Sequence, residues 1–440
     1  MTSQVRSVPG RSHDIRVAGR RRNAMIKPAV RAPCPHVDRT TNFRSRPARD
    51  RRRSTQRPFD ATITKLVNYP SPESTYSFRH MRLPLCTLSA ALVTVLLLCA
   101  CSMPNDVFPV SEDTPSAIHG AAVRYHVCDI AVAVVRNRGL DSVNAASGCP
   151  PGSASNPDAI FKAASLGKPV FAYAVLQLAR QGKLDLDAPV LSYLPQGYLH
   201  LSNPFSTSSE KGDHVSDPRL SKVTVRMVLN HTSGLPNWAD GPLAFSFDPG
   251  TSWQYSGEGY VLLQRAVENI TGLSVDRFMA DQVFRPLGMG NSSYVWEDGF
   301  QQRFVQGHTP DGTSRASRRF RAPIVAATLY TTAADYGRFL AALLNDDDEL
   351  RALISSPVQV DSKLKLTWGL GWGIENEGDD TVIWHWGNTP GYRSLVVASP
   401  ATGTGVVMFT DSDDGLRAGR AIVNTVIPGN HRLFDFRMLQ

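Results

Sequence analysis

A serine and a lysine stand three residues apart at the start of an apolar segment, at positions Ser165 and Lys168. Residues at this spacing on a helix face the same side. A serine at a helix start also lies near the positive end of the helix dipole, which favours developing negative charge. A lysine in a desolvated pocket has a lowered pKa and can accept or relay the serine proton. The pair therefore indicates nucleophilic catalysis, although such a pair also occurs by chance.

Three further segments follow this pair along the chain. Residues 224–236 have the sequence TVRMVLNHTSGLP, residues 249–260 have PGTSWQYSGEGY, and residues 385–388 have HWGN. In this order, the segments resemble the β-lactamase-related serine hydrolases, which include class C β-lactamases, D-alanyl-D-alanine peptidases and esterases. The resemblance spans residues 118–428 and is specific because the segments occur together, although each one alone is weak.

The resemblance implies roles for the residues that match the family's motifs. Ser165 matches the serine that becomes acylated, and Lys168 matches its partner. Tyr255 matches the tyrosine that assists proton transfer, and the sequence leaves open whether the lysine or the tyrosine is the base. The backbone N–H groups of Ser165 and Asn388 are expected to form an oxyanion hole, where each donor is worth roughly 3 kcal/mol.

Two residues depart from the family pattern of β-lactamases and peptidases. Gly257 stands where those enzymes have the asparagine of a Tyr-x-Asn element, and His385 stands where they have the lysine of Lys-Thr-Gly. Gly387 keeps the last position of that element, and many esterase-like relatives have His-x-Gly there. Trp386 is expected either to line the substrate cleft or to pack in the core. An esterase, amidase or peptidase is therefore favoured over a β-lactamase or D-alanyl-D-alanine carboxypeptidase.

The sequence favours a hydrolase of small molecules over other classes of function. A non-catalytic cell-wall or β-lactam binding module remains an alternative, although it would be expected to have lost one of the three matching residues. The histidine of the 224–236 segment, His231, is expected to be structural. We expect no cofactor and no metal, because Cys128 and Cys149 fit no zinc-binding spacing. In an oxidising compartment these two cysteines could pair.

The elements that must position these residues alternate in type along the chain. Apolar periodicity predicts several helices, over residues 169–181, 224–230, 257–272 and 332–344. Apolar runs predict strands near both ends of this region, over residues 130–135, 381–386, 394–398 and 405–410. A loop is predicted over residues 141–160. The pattern indicates an α+β fold in which N- and C-terminal strands share one sheet. The resemblance implies an antiparallel sheet flanked by helices, with a mainly helical subdomain.

The net charge of +8 does not indicate nucleic-acid binding, because the positive charge is concentrated in residues 1–80. Residues 1–80 carry 18 lysines and arginines against five acidic residues, a net +13, so the rest of the chain carries about −5. This basic leader is predicted to be disordered because it has little apolar surface to bury. Either translation starts at Met81 and the leader is not made, or it is an arm for nucleic acid or membrane.

The segment that follows Met81 has the layout of a secretory signal peptide over residues 81–101. An apolar stretch ends in Leu-Cys-Ala-Cys, which resembles the bacterial lipoprotein cleavage box, so Cys101 is expected to be lipidated. The alternative is an uncleaved membrane anchor, since the stretch is close to spanning length. Residues 102–117 are predicted to be a linker and residues 429–440 a C-terminal tail. An exported, periplasmic, membrane-anchored lipoprotein is the expected product.

Overall fold

The computed structural model describes four stretches of the chain, which are residues 113–149, 156–206, 212–377 and 380–440. The predicted leader (1–80) and the predicted signal peptide (81–101), with its Cys101, lie outside these stretches. Within them, no helix is both long and apolar enough to cross a membrane.

An antiparallel sheet of eight strands forms the centre of the described structure. In spatial order its strands are β2 (Gly139–Ala146), β1 (Ile130–Arg136), β12 (Thr404–Thr410), β11 (Tyr392–Ser399), β10 (Asp380–Thr389), β9 (Gly373–Glu377), β8 (Leu366–Trp368) and β7 (Val358–Asp361). Strand β1 pairs with β12, so that Ile130 lies opposite Thr410. The predicted sharing of one sheet by N- and C-terminal strands is therefore confirmed, as is the α+β class.

The two faces of this sheet bury separate apolar clusters. Along β1, Ala131, Ala133 and Val135 belong to one cluster, whereas the alternate residues Ile130, Val132 and Val134 belong to the other. This alternation follows from the two-residue period of a strand. Both faces are covered, which is why β1 reads as continuously apolar in the sequence rather than as alternating.

The described residues form the helices α1 (Thr114–Arg124), α2 (Gly167–Arg180), α3 (Val225–Leu229), α4 (Gly257–Thr271), α5 (Val275–Met279), α6 (Ala333–Leu344), α7 (Asp347–Ile354) and α8 (Gly419–Asn424). Helix α6 packs on one face of the sheet, and α1 and α8 contribute to the apolar cluster on the other face. The four predicted helices are present as α2, α3, α4 and α6, each within two residues of its expected ends. Thr224 Oγ1 accepts from the N–H of Met227 and so begins α3. Gly272, at a φ of 67°, ends α4.

Two small strand pairs lie outside the main sheet. Strand β3 (Phe161–Ala164) pairs with β6 (Leu329–Thr331), and β4 (Leu199–His200) pairs with β5 (Asp213–His214). The first pair matters most here because β3 leads directly into the segment that contains Ser165.

The structure differs from the sequence-based expectation at three boundaries. The predicted linker 102–117 ends in helix, because Asp113 caps α1 and Ile118 is buried against the sheet. The predicted loop 141–160 begins as strand β2, since pairing with β1 outweighs its polar composition. The predicted tail 429–440 packs onto the sheet through side chains three residues apart, which are Leu433, Phe436 and Leu439.

A disulfide joins Cys128, just before β1, to Cys149, just after β2. The two cysteines are 21 residues apart in the chain. The bond therefore closes the open end of the β1–β2 hairpin, where β2 is the edge strand of the sheet.

Replacing Cys128 and Cys149 together by serine is expected to lower the free energy of unfolding by about 3 kcal/mol, because the bond restricts a loop of about 20 residues in the unfolded chain. Guanidinium denaturation in the presence and absence of a reductant measures the loss. The double variant serves as its own control, since its midpoint should not respond to reductant. An unchanged wild-type midpoint under reducing conditions would contradict a stabilising bond.

Candidate active site

Ser165 lies in a sharp turn between β3 and α2. The residue before it, Ala164, has a φ of 50°, a left-handed conformation that is uncommon outside glycine. Further along the turn, a Cβ on Gly167 would lie 2.5 Å from the Val325 carbonyl oxygen, so only glycine fits there. The turn presents Ser165, half-buried, to the adjacent cleft.

Lys168 lies on the first turn of α2, and its side chain is completely enclosed. Its Nζ is 3.1 Å from Ser165 Oγ and 2.8 Å from the carbonyl oxygen of Ala326, to both of which it donates. Burial lowers the pKa of Lys168 well below its usual range, since the charged form loses its hydration. The environment of Lys168 therefore favours the neutral amine, which can accept the serine proton.

Tyr255 lies on the other side of the Lys168 amine. The Lys168 Nζ is 4.6 Å from the centroid of its ring. Burial raises the pKa of the Tyr255 phenol, and the nearby Ser165 side chain offsets part of that rise. The site thus favours a neutral lysine and a protonated tyrosine around one serine hydroxyl.

His385 lies on β10 and is fully buried. Its Nδ1 is 2.8 Å from the carbonyl oxygen of Trp386, which can only accept, so this nitrogen carries the proton. Burial lowers the pKa of His385, and the nearby Lys168 lowers it further. A neutral imidazole therefore stands in the position that the family resemblance assigns to a cationic lysine.

Gly387 allows β10 to approach β3, the strand that leads into Ser165. A Cβ at this position would lie 2.2 Å from the carbonyl oxygen of Ala163 and 2.2 Å from Ser394 Oγ. Ser394 Oγ in turn donates to the Ala163 carbonyl at 3.0 Å. The next residue, Asn388, is exposed and lines the same cleft as Ser165. The two residues expected to supply the oxyanion-hole N–H groups therefore meet at one cleft.

His231 is a buried residue that contacts the segment containing Tyr255. Its Nδ1 accepts the N–H of Ser256 at 3.1 Å, and its ring lies 4.4 Å from that of Tyr255. Burial lowers the pKa of His231, with Lys168 and His385 contributing in the same direction. This geometry fits the structural role that the sequence indicated for His231.

The cleft beside Ser165 has a volume of about 600 Å³. Four of the residues singled out in the sequence line it, namely Ser165, Tyr255, Trp386 and Asn388, whereas Lys168, His385, Gly257 and Gly387 lie behind its surface. Trp386 contributes to both the lining and the core, because it also belongs to one of the two buried apolar clusters of the sheet.

Sequence reasoning missed several residues of the cleft, including Phe205, Asn237, Trp238, Arg318, Phe320, Arg437, Met438 and Gln440. The Asn237–Trp238 pair directly follows the HTSGLP segment, and that position was a usable signal. The three-residue spacing of the apolar residues Leu433, Phe436 and Leu439 was a second usable signal, because these side chains pack against the sheet. Nothing in the sequence indicates the Ala326 carbonyl, because a backbone oxygen carries no residue-type signal.

One group of three potential metal ligands occurs among the described residues, namely Cys128, His308 and Asp411. Its members already have partners, since Cys128 is bonded to Cys149 and His308 Nδ1 lies 2.9 Å from Asp411 Oδ2. The group is not part of the cleft lining around Ser165.

Gly257, the first residue of α4, has no room for a side chain. A Cβ there would lie 2.6 Å from the Asn237 carbonyl oxygen and 2.9 Å from the ring of Trp238. The backbone N–H of Gly257 donates to that same carbonyl at 3.0 Å. The indole of Trp238 thus lies against the position where β-lactamases and peptidases of the family have asparagine.

A half-buried serine and a buried lysine beside a phenol define a serine-hydrolase type of site. The Beta-lactamase family model matches residues 116–424. The chain therefore belongs to the Beta-lactamase family of serine hydrolases, and the resemblance inferred from the four motif segments is confirmed.

Comparisons with individual proteins agree with this family. The chain is 27% identical to esterase EstB of Burkholderia gladioli over 343 residues, which cover 65% of this chain and 80% of that protein. It is 25% identical to penicillin-binding protein 4* of Bacillus subtilis (strain 168) over 297 residues, which cover 54% of this chain and 58% of that protein. The D-amino acid amidase of Ochrobactrum anthropi SV3 shares the fold, with a TM-score of 0.57 at 19% identity over 71% of this chain and 98% of that one.

Replacing Gly257 by alanine is expected to lower the free energy of unfolding by about 1 to 3 kcal/mol, because the added methyl group overlaps a carbonyl and an indole that are both held in place. Chemical denaturation measures the change. The matched control is Gly120→Ala, since Gly120 is also helical and a Cβ there meets nothing within 4 Å. That control is expected to be stabilised by up to about 1 kcal/mol. Equal effects at the two positions would contradict the close contact with Trp238.

Proposed function

We propose that this protein hydrolyses esters, amides or peptides by acyl transfer through a covalent intermediate on Ser165. The observation that carries the proposal is the opposed effect of burial on two groups beside one hydroxyl. Burial lowers the pKa of Lys168 and raises that of Tyr255. Groups whose surroundings move their pKa values apart are suited to act as base and acid.

In the proposed reaction, Lys168 takes the Ser165 proton as the oxygen attacks the substrate carbonyl carbon. The backbone N–H groups of Ser165 and Asn388 stabilise the oxygen anion that forms. The proton returns through Lys168 and the Tyr255 phenol to the leaving group, which departs as an alcohol or amine. Water then attacks the acyl-enzyme, by the same proton transfers in reverse, and releases the acid.

Esters and simple amides are favoured as substrates over β-lactams and D-alanyl-D-alanine peptides. His385 is neutral, so it offers no positive charge to a substrate carboxylate, and Trp238 fills the space of the family's asparagine beside Gly257. The similarity to an esterase and to a D-amino acid amidase supports the same preference for esters and amides. The presence of Ser165 and Lys168 within hydrogen-bond distance argues against a non-catalytic binding module.

Replacing Lys168 by arginine is expected to lower kcat/KM on a short-chain nitrophenyl ester by about 10² to 10⁴-fold, because a guanidinium does not give up its proton at working pH and the general base is lost. Ser165→Ala should abolish turnover. Lys183→Arg, at an exposed lysine, is the matched control and should retain wild-type activity. Turnover that survives Ser165→Ala would refute the assignment of the nucleophile.

A chromogenic cephalosporin measured beside the nitrophenyl ester separates the substrate classes. We expect ester turnover with little cephalosporin turnover. Fast cephalosporin hydrolysis would show that Gly257 and His385 are tolerated in a β-lactamase. A stable acyl adduct on Ser165, seen by intact-protein mass spectrometry without product release, would favour the binding module.

We also propose that the protein is exported and held at the membrane through lipid on Cys101. Support comes from the signal-peptide layout of residues 81–101 and from the Leu-Cys-Ala-Cys sequence at its end. The disulfide between Cys128 and Cys149 is consistent with an oxidising compartment.

Replacing Cys101 by alanine is expected to abolish incorporation of labelled fatty acid, because the thioether-linked lipid has no attachment atom. Fractionation of cells that express the full chain, with Cys86→Ala as a control cysteine of the same segment, measures the change. If the wild-type protein carries no label and the Cys101→Ala protein remains in the membrane, an uncleaved anchor would be supported instead. A cytosolic wild-type protein would refute export.

A further inference from the structure

Three aromatic side chains, Phe205, Trp238 and Phe320, form one wall of the cleft that contains Ser165. The rings of Phe205 and Trp238 are 5.2 Å apart, and those of Phe205 and Phe320 are 5.9 Å apart. They come from three separate segments of the chain. We call this surface the aromatic wall.

The rings of the aromatic wall are half-buried, which separates them from the structural aromatic clusters of the fold. In a neighbouring cluster, Trp296, Phe300 and Tyr330 are all buried. A ring that serves only the core has no need of a face on a cleft. The wall therefore exposes apolar area beside the nucleophile, at a place where a substrate would cover it.

The backbone of each wall segment is held by hydrogen bonds. Phe320 donates its N–H to the Tyr330 hydroxyl at 2.9 Å, and its carbonyl accepts from Trp296 at 2.7 Å. The carbonyl of Phe205 accepts from Arg318 Nη2 at 3.1 Å. These bonds hold the backbone that carries two of the rings before any ligand arrives, and a backbone ordered in advance loses less entropy on binding.

The third ring, that of Trp238, is fixed from α4. The carbonyl of Asn237 accepts the N–H groups of Gly257 and Glu258, and Glu258 Oε1 accepts the N–H of Ala239. The residues on both sides of Trp238 are therefore attached to the helix start that directly follows Tyr255. Since Tyr255 and Trp238 line the same cleft, the wall is held in register with the catalytic groups.

Lys162 contacts the aromatic wall from its buried side. Its Nζ donates to the carbonyl oxygen of Arg318 at 2.7 Å and lies 4.7 Å from the Phe320 ring centroid. Lys162 is on β3, three residues before Ser165. The strand that leads into the nucleophile therefore also contacts one ring of the wall.

We propose that the aromatic wall binds an aryl group of the substrate, in either its acyl or its alcohol part, and so makes aryl-bearing esters or amides the preferred substrates. The inference rests on the proposed hydrolysis at Ser165. Aromatic pairs gain about 0.5 to 1.5 kcal/mol beyond their buried area, so an aryl group should be preferred about two- to tenfold over a saturated ring of equal size.

Two pairs of esters test which part of the substrate carries the aryl group. Methyl phenylacetate is compared with methyl cyclohexylacetate, where only the acyl part changes. Benzyl acetate is compared with cyclohexylmethyl acetate, where only the alcohol changes and both leaving groups have similar basicity. Titration of released acid gives kcat/KM without an aryl reporter group that would itself occupy the wall. We expect a two- to tenfold aryl preference in one of the two pairs.

Variants then tie that preference to the wall. Trp238→Leu and Phe320→Leu are each expected to reduce the aryl-to-cyclohexyl ratio towards one. Because the ratio compares two esters within one variant, it does not depend on the overall activity of that variant. Tyr125→Leu is the matched control, because Tyr125 is another half-buried aromatic that is not part of the cleft lining. A ratio near one in both wild-type pairs, or a ratio that survives both wall substitutions, would overturn the proposal.

Binding to Ser165→Ala protein separates this inference from the proposed hydrolysis. Quenching of tryptophan fluorescence by methyl phenylacetate and by methyl cyclohexylacetate, and by the two acetates, gives dissociation constants without turnover. Tighter binding of the aryl member of one pair, lost in the Trp238→Leu and Phe320→Leu backgrounds, supports the wall even if the wild-type protein hydrolyses no ester. Equal binding of both members in both pairs refutes the wall, whatever the activity.

Discussion

The amine of Lys168 lies 3.1 Å from the Ser165 hydroxyl and 2.8 Å from the Ala326 carbonyl, with no access to solvent. Charging this amine would be costly, because the ammonium ion would lose its hydration and none of the ion pairs among the described residues includes Lys168. The fold therefore favours the neutral form, which is the form that accepts a proton. The neutral states of the neighbouring His231 and His385 follow from the same burial, because an imidazolium ion there would also lose its hydration.

That burial depends on close packing around the nucleophile. Gly387 allows β10 to lie against Ala163, and Gly167 allows the start of α2 to lie against Val325. A side chain at either glycine would separate the elements that enclose Lys168. The left-handed conformation of Ala164 belongs to the same arrangement, since it turns the chain sharply enough to bring Ser165 to the cleft and Lys168 beneath it.

The departures from the family pattern form one connected change. Without a side chain on Gly257, the indole of Trp238 lies over the start of α4 and joins Phe205 and Phe320 in the cleft. Without a lysine at position 385, the site has no cation aimed from β10. The site therefore has an indole beside the nucleophile and no cation from β10, while Arg318 and Arg437 also line the cleft.

The sequence by itself determined the nucleophile, its partner and the class of fold, because these depend on local signals. Ser165 and Lys168 are one helical turn apart, Thr224 and Thr332 cap helices with their own side chains, and the apolar run of β1 predicts a buried strand. The tertiary structure alone decided which distant segments share the cleft. The position of the Ala326 carbonyl and the Phe205–Trp238–Phe320 wall result from contacts between residues far apart in the chain, and such contacts leave no periodic pattern in a single sequence.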